Sequence, residues 1–224
     1  MLPFYRVDHI PKASRKRPGH KLDPKFITIH DTGNPRSTAA NERAWLTNPQ
    51  NKSVVGYHIV VDEKQAIECI PLDENAWHAG DGGKGTGNRQ SIGIELCEPG
   101  DREKTLANAA KVVAELLKKY QLGITAVKQH NNWSGKNCPR LLRQGNKWEL
   151  FLSQISIELV TEPELSLEAN GKKIDLPLKI IDGRTYFLAE TLDGEHWVQI
   201  RALAELLNAQ IEWKGETRTV VLQM

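Results

Sequence analysis

In Gln129–Arg140, QHNNWSGKNCPR, an imidazole, an ammonium and a thiol share one short segment. Gly135 and Pro139 punctuate any helix or strand, so the segment reads as a loop. His130 and Cys138 can turn towards one point there, and a neutral imidazole beside a thiolate suits Zn²⁺. Lys136 adds a positive charge next to that point. Two donors do not complete a catalytic zinc site, so a third has to come from elsewhere. Lys25–Gly33, KFITIHDTG, offers one: a β-favouring run ends on His30, and Asp31-Thr32-Gly33 turns the chain away. His30, His130 and Cys138 would give three donors and leave a fourth position open, as in a catalytic rather than a closed structural zinc. Each residue alone also has a plainer reading. A strand-end His can be a hydrogen-bonded polar residue, and a lone Cys a small buried hydrophobe; spacing alone leaves both readings open.

The elements that must position these residues follow from local pattern. Ser37 is expected to cap a helix running to about Asn48, with Ala40, Ala44 and Trp45 inward. Val54–Val61 reads as a strand that Asp62-Glu63-Lys64 turns into a second one, Gln65–Ile70. Gly80–Gly87, GDGGKGTG, lacks the GxxxxGK[ST] pattern of a phosphate loop and reads as a loop edging a cleft. Ser91–Leu96 is a further strand. In Glu103–Tyr120, Leu106, Ala110, Val113, Leu117 and Tyr120 recur at helical spacing, with Gly123 beyond the end. A last helix starts near Asn146 with Trp148, Phe151, Leu152, Ile155 and Leu159 inward. Alternating strands and helices predict an α/β domain, a mixed central β-sheet flanked by helices.

The segments FITIHDTG, VGYHIVVD, AWHAGDGGKGTGN, SIGIELCE and QHNNWSGKNCP occur in this order within roughly residues 20–150. Together they resemble the zinc-dependent N-acetylmuramoyl-L-alanine amidases, the type that includes phage lysozyme-like amidases and the peptidoglycan recognition proteins. The resemblance implies one Zn²⁺ per chain held by His30, His130 and Cys138. It implies a catalytic lysine at Lys136, an active-site tyrosine at Tyr57 and, as in phage members for Gram-positive walls, a glutamate at Glu95. Non-catalytic recognition proteins of this type lack the cysteine ligand, which this chain keeps. The implied reaction is hydrolysis of the amide between N-acetylmuramic acid and the L-alanine of the stem peptide. Glu95 would carry the proton from water to the leaving nitrogen. Lys136 would stabilise the oxyanion, and Tyr57 would position the water or donate a hydrogen bond. A glutamate inside an apolar strand is costly to bury, although Glu95 could also be a structural carboxylate paired with Arg89 or a backbone donor. His78 and Asn88 are expected to line the cleft and contact substrate. His58 and Trp133 receive no catalytic role.

The chain has 224 residues and a formal net charge of +2, so bulk charge does not argue for nucleic acid. Basic residues gather early, with Arg6, Lys12, Arg15, Lys16, Arg17 and Lys21 against Asp8 before Asp23. They read either as a solvated arm or as an attraction to an anionic surface. The start, MLPFYRVDHIPK, has no apolar core and small-residue cleavage site of a secretory signal, and no run is long enough to cross a membrane. The expectation is a protein made in a host cytoplasm that reaches the wall through a holin pore. Cys69, Cys97 and Cys138 do not form a disulfide framework; Cys69 and Cys97 read as core.

The catalytic domain is expected over 1–159, with its core at about 20–150, a linker at 160–164 and a small β-rich α+β domain over 165–224. Asn170-Gly171 and Asp182-Gly183 are hairpin turns, Val198–Asn208 a short helix, and Ile211–Trp213 and Thr219–Leu222 closing strands. This part resembles the N-terminal stalk domain of copper amine oxidases. Copper chemistry does not transfer, since the part has His196 as its one His and no Cys. Its expected role is attachment to a secondary wall polymer, with an inert or dimer-forming appendage as the alternative; oligomeric state stays open. The whole reads as a phage or prophage endolysin acting on Gram-positive peptidoglycan. A zinc wall endopeptidase and a non-catalytic peptidoglycan-binding protein are the rival readings.

Overall fold

Strands buried on both faces carry near-continuous apolar runs, and two such runs form the centre of the first unit. The computed structural model describes residues 2–160, 166–174, 178–181, 184–191, 194–206, 209–215 and 219–223. By its contacts the chain divides into two compact units, Leu2–Thr161 and Glu162–Met224.

In chain order the first unit contains β1 (Tyr5–Val7), β2 (Phe26–Asp31), α1 (Ala39–Thr47), β3 (Ile59–Val61), β4 (Ala66–Glu68), α2 (Thr86–Gln90), β5 (Ser91–Leu96), α3 (Arg102–Lys119), β6 (Val127–Gln129), α4 (Asn131–Ser134) and α5 (Lys147–Val160). The six strands form one mixed sheet in the order β1-β4-β3-β5-β2-β6. β2 is parallel to both β5 and β6, so these three strands end on the same edge. The register sets His30 opposite Glu95. A site at that edge therefore follows from strand direction.

Alternation along the strands divides the sheet's faces. Ile27, Ile29, Ile92, Ile94, Ile59 and Val61 point into one core with Val113 and Leu117 of α3 and Phe151 and Ile155 of α5. Val60, Ile67 and Cys69 point the other way, into a second core with Ala39 and Leu46 of α1 and Tyr57. The expected mixed sheet with flanking helices is what forms. α3 starts where Asp101 accepts from Lys104 N at 3.0 Å, and Lys118 and Lys119 lie in its last turn, where they favour the helix dipole.

Two expectations fail near α1. Thr38, not Ser37, is the cap, accepting from Asn41 N at 3.3 Å. The buried face is Ala39, Glu42 and Leu46, whereas Trp45 is 47% exposed. One buried polar group, Glu42, set the face, and the apolar pattern did not reveal it. The strand expected at Val54–Val61 pairs only over Ile59–Val61. Gly56 N donates to Trp77 O at 3.2 Å, and a Cβ on Gly56 would stand 2.9 Å from Lys16 O. That crowding keeps residues 54–57 out of the sheet and leaves Val54 and Val55 exposed, while His58 N still donates to Gly93 O at 3.0 Å.

The second unit contains β7 (Ser166–Ala169), β8 (Lys172–Ile174), β9 (Leu178–Ile181), β10 (Arg184–Thr191), β11 (Gly194–Gln199), α6 (Ile200–Leu206), β12 (Gln210–Lys214) and β13 (Thr219–Gln223). It forms a three-stranded sheet, β11-β10-β9, and a four-stranded sheet, β12-β13-β7-β8. Asn170 and Gly171 both take positive φ in the β7–β8 turn, as a two-residue hairpin of this composition requires. Leu167, Ile200, Ala204, Val220 and Leu222 form its core. Of the expected linker at 160–164, Val160 instead ends α5, and 161–164 lie outside the described residues, as do the expected turn residues Asp182 and Gly183.

Candidate active site

His30 is the last residue but one of β2, and His130 follows β6, its parallel neighbour. Cys138 returns to them because the loop closes on itself, with Asn131 N donating to Cys138 O at 3.0 Å. One donor atom from each of the three residues lies within 4.8 Å of the others, and all three residues are buried. Their closest approaches are 3.0 Å between His30 Nδ1 and His130 Nδ1 and 3.8 Å from Cys138 Sγ to His30 Nδ1.

The proton positions on the rings follow from their outer partners. His78 Nε2 lies 3.1 Å from Ser91 O, which only accepts, so His78 donates there and keeps a lone pair on Nδ1. That lone pair faces His30 Nε2 at 3.0 Å, so His30 carries its proton on Nε2 and a lone pair on Nδ1. His130 hydrogen-bonds the Ala79 backbone, and its Nε2 lies on the Gly80 side, so its Nδ1 is also unprotonated. Two lone pairs and a sulfur thus converge on one point. On a tetrahedral zinc with ordinary bond lengths, two ligand nitrogens lie about 3.3 Å apart and a nitrogen and a sulfur about 3.6 Å apart. The donor set fits that ion.

Electrostatics agree with neutral imidazoles. Burial, then the neighbouring His78 and His130, holds His30 well below the ordinary imidazole range. Burial lowers His78 to about 3. His130 is lowered by burial and by Lys136. Burial pushes the metal-free Cys138 thiol up to about 12, against a hydrogen bond from the Asp31 backbone that lowers it; a bound cation would reverse that order by displacing the proton. Asp31 also clamps the loop. Its carboxylate accepts from Leu141 N at 2.7 Å and pairs with Arg102.

A cavity of about 530 Å³ opens over the three donors and is lined in addition by Glu95, Lys136, His78, Asn88, Trp77 and Val55. Glu95 Oε2 is buried with no hydrogen-bond partner, so neither Arg89 nor a backbone donor occupies it. Burial raises the Glu95 carboxyl well above the usual range, the Glu42 charge raises it further, and Lys136 opposes both.

The remaining expected residues sit differently. His78 and Asn88 line the cavity but direct their polar atoms into the protein. Asn88 Oδ1 accepts from His78 N and Ala79 N, both at 2.8 Å, and its Nδ2 donates to Gly82 O at 3.1 Å. Tyr57 does not line the cavity. Its hydroxyl donates to Glu42 O at 2.9 Å and lies 3.3 Å from Glu42 Oε2. His58 is fully buried between Gly93 N and Glu74 O, and Trp133 donates to Thr28 Oγ1 at 2.8 Å. Two contributors escaped sequence reasoning. Gly93 admits the His78 ring, since a Cβ there would stand 2.7 Å from His78 Cγ. A glycine inside a strand is the signal for such an approach. Asp81 pins the glycine-rich loop by accepting from Gly87 N at 2.6 Å and Asn88 N at 3.2 Å.

A family profile described as N-acetylmuramoyl-L-alanine amidase matches residues 20–141, more than half of the chain. The chain belongs to this amidase family. The match spans every cavity-lining residue named above. Among relatives, the amidase CwlH of Bacillus subtilis is 41% identical over 155 residues, which take in 67% of this chain and 60% of CwlH. The amidase CwlA of the same organism is 45% identical over 162 residues, 70% of this chain and 57% of CwlA. The chain thus spans less than two thirds of these amidases. Among solved structures, the catalytic domain of XlyA superposes with a TM-score of 0.63 at 39% identity, covering 67% of this chain and 98% of that domain. PlyL does so with a TM-score of 0.61 at 38% identity, covering 69% of this chain and 97% of PlyL.

Proposed function

We propose that this amidase-family chain is a zinc-dependent peptidoglycan hydrolase, cutting the amide between N-acetylmuramic acid and the L-alanine of the stem peptide. The observation that carries the reading is the three-donor cluster of His30, His130 and Cys138 sharing one cavity with Glu95, the register partner of His30, whose Oε2 is buried without a partner. One Zn²⁺ per chain, when bound, would supply Lewis acidity towards a water and the carbonyl oxygen. Glu95 holds a raised pKa, suited to taking a proton from water and giving it to the leaving nitrogen. Lys136, on the cavity wall, offers its positive charge to the oxyanion as the carbonyl becomes tetrahedral. His78 orients His30 through Nδ1, and Asn88 fixes the backbone on which His78 sits; both also line the cavity, where contact with substrate is proposed. Tyr57 does not line the cavity and its hydroxyl is bound to Glu42, so it is assigned the positioning of Glu42 in place of the expected role on water.

Similarity to the N-acetylmuramoyl-L-alanine amidases CwlH and CwlA supports peptidoglycan as the substrate, and we take the chain to be an endolysin from a phage or prophage, released to the wall through a holin pore. Among the described residues no helix is long and apolar enough to cross a membrane. The second unit is proposed to attach to a secondary wall polymer. Digestion of purified walls tests the reaction. An amidase frees the alanine amino group and leaves lactyl-muramic acid with no new reducing sugar ends. New amino groups on any other residue would make the chain an endopeptidase, and no cleavage would make it a binding protein.

A further inference from the structure

The early basic residues do not behave as one group. Arg6 pairs with Asp8 at 2.9 Å and Arg17 with Glu74 at 2.5 Å. Nearby, Arg43 pairs with Asp8 at 2.9 Å. Arg15 and Lys16 have no carboxylate within ion-pair distance, and neither does Lys52, among the described residues. These three line one pocket of about 440 Å³, with hydroxyl and amide groups such as Ser14 and Asn48, and no acidic residue lines it. Lys16 is 4% exposed, and its ammonium has one hydrogen bond, to Asn51 O at 3.1 Å. A covered ammonium with a carbonyl as its one partner is a costly arrangement that an incoming anion would relieve.

The pocket adjoins the catalytic cleft. Ser53 lines the pocket and Val55 lines the cleft, and two residues of extended chain span at most ~7 Å. The ligand's chemistry follows from the lining. Three cations exceed what one carboxylate needs and suit the repeated charges of a phosphodiester chain. No aromatic side chain lines the pocket, so it lacks the stacking surface that single-stranded nucleic acid uses. We propose that this pocket binds the phosphate groups of an anionic wall polymer and holds that polymer beside the cleft. The source of the polymer rests on the wall-hydrolase reading; the anion site does not.

The test uses the full chain and soluble poly(glycerol phosphate) as the probe, with binding followed by calorimetry. Arg15 and Lys52 are exposed, so R15Q/K52Q keeps the fold. It should weaken binding about tenfold or more, the scale of losing charge-assisted hydrogen bonds. A K104Q/K111Q variant removes equal charge from an exposed face of α3 and should change binding less than ~2-fold. Equal loss in both variants would reduce the effect to net charge and overturn the proposal. Absence of saturable binding by the unaltered chain would overturn it too. So would equally tight binding of a single-stranded oligonucleotide or of polygalacturonate, which carries carboxylates instead of phosphates. Turnover of a soluble muropeptide, expected to be the same in all three proteins, reports separately on the amidase reading.

Discussion

Two sets of residues lining the cavity are built on opposite rules. On the donor side, His30 leans on His78, His78 on Ser91, His130 on Ala79, and Cys138 on the Asp31 backbone. Those partners fix each ring and the sulfur before any ligand arrives. Next to the donors, Glu95 Oε2 has no partner, and Lys136 is exposed on the cavity wall. Groups that must hold still are tied at both ends. In the proposed reading, the groups that exchange protons or meet developing charge are the ones left uncommitted, for Glu95 at a cost in burial energy.

Removing a donor should give the largest effect. Cys138→Ser should bring metal content well below one zinc per chain and wall lysis to background, as should chelation of the unaltered chain, with Zn²⁺ restoring the latter. Elemental analysis alongside turbidity measurement checks both; full activity in metal-free protein would end the catalytic-zinc reading. Glu95→Gln tests the uncommitted side. It should retain zinc while turnover falls by about 10²–10⁴, the usual contribution of a positioned acid–base group. Unchanged turnover would shift the proton transfer away from Glu95.

A smaller effect is expected where the donor side is weakened from behind. His78→Gln, which breaks the ring-to-ring relay, should lower zinc affinity by about 10–100-fold, read by competition with a chromogenic chelator. Gly93→Ala should produce part of that loss through the added methyl against the His78 ring, along with a destabilisation of about 1–3 kcal/mol. If both variants bind zinc like the unaltered chain, the relay does not set His30.

The last effect, on stability alone, concerns His58, which is buried but is not one of the donors. Burial holds its pKa at about 4 against an ordinary 6.5. Between those values the unfolded chain binds a proton that the folded chain does not, so stability rises with pH. The contribution is fully present above pH 6.5 and is lost as pH falls towards 4, reaching about 3 kcal/mol at most. Denaturant titrations from pH 7 to 4 should show a shallower decline for His58→Gln than for the unaltered chain.

Local chemistry in this chain was readable; relations across the sheet were less so. β5 formed over the expected Ser91–Leu96, and α3 within a residue of its expected ends, because apolar pattern and caps act locally. The partnership of His78 with Gly93 depends on a close approach between distant residues, which no window on the chain contains. The α1 face was misread for the same reason. Glu42 turns inward to meet the Tyr57 hydroxyl, and Trp45, the more apolar residue, is left outside. Val54 and Val55 carry strand propensity, yet Gly56 draws that segment against Lys16, where pairing with the sheet cannot continue.

The parallel pairing of β2 with β6 has a consequence for how the chain is made. His130 and Cys138 leave the ribosome almost together, while His30 has been waiting for 100 residues. An unfolded or half-synthesised chain can therefore offer a metal only a two-donor fragment, and tight capture has to follow the closing of a long loop. Zinc held as proposed would then stabilise the assembled sheet by mass action and hardly at all its precursors. Refolding in the presence of the metal should leave the rate of sheet assembly nearly unchanged and slow its reversal.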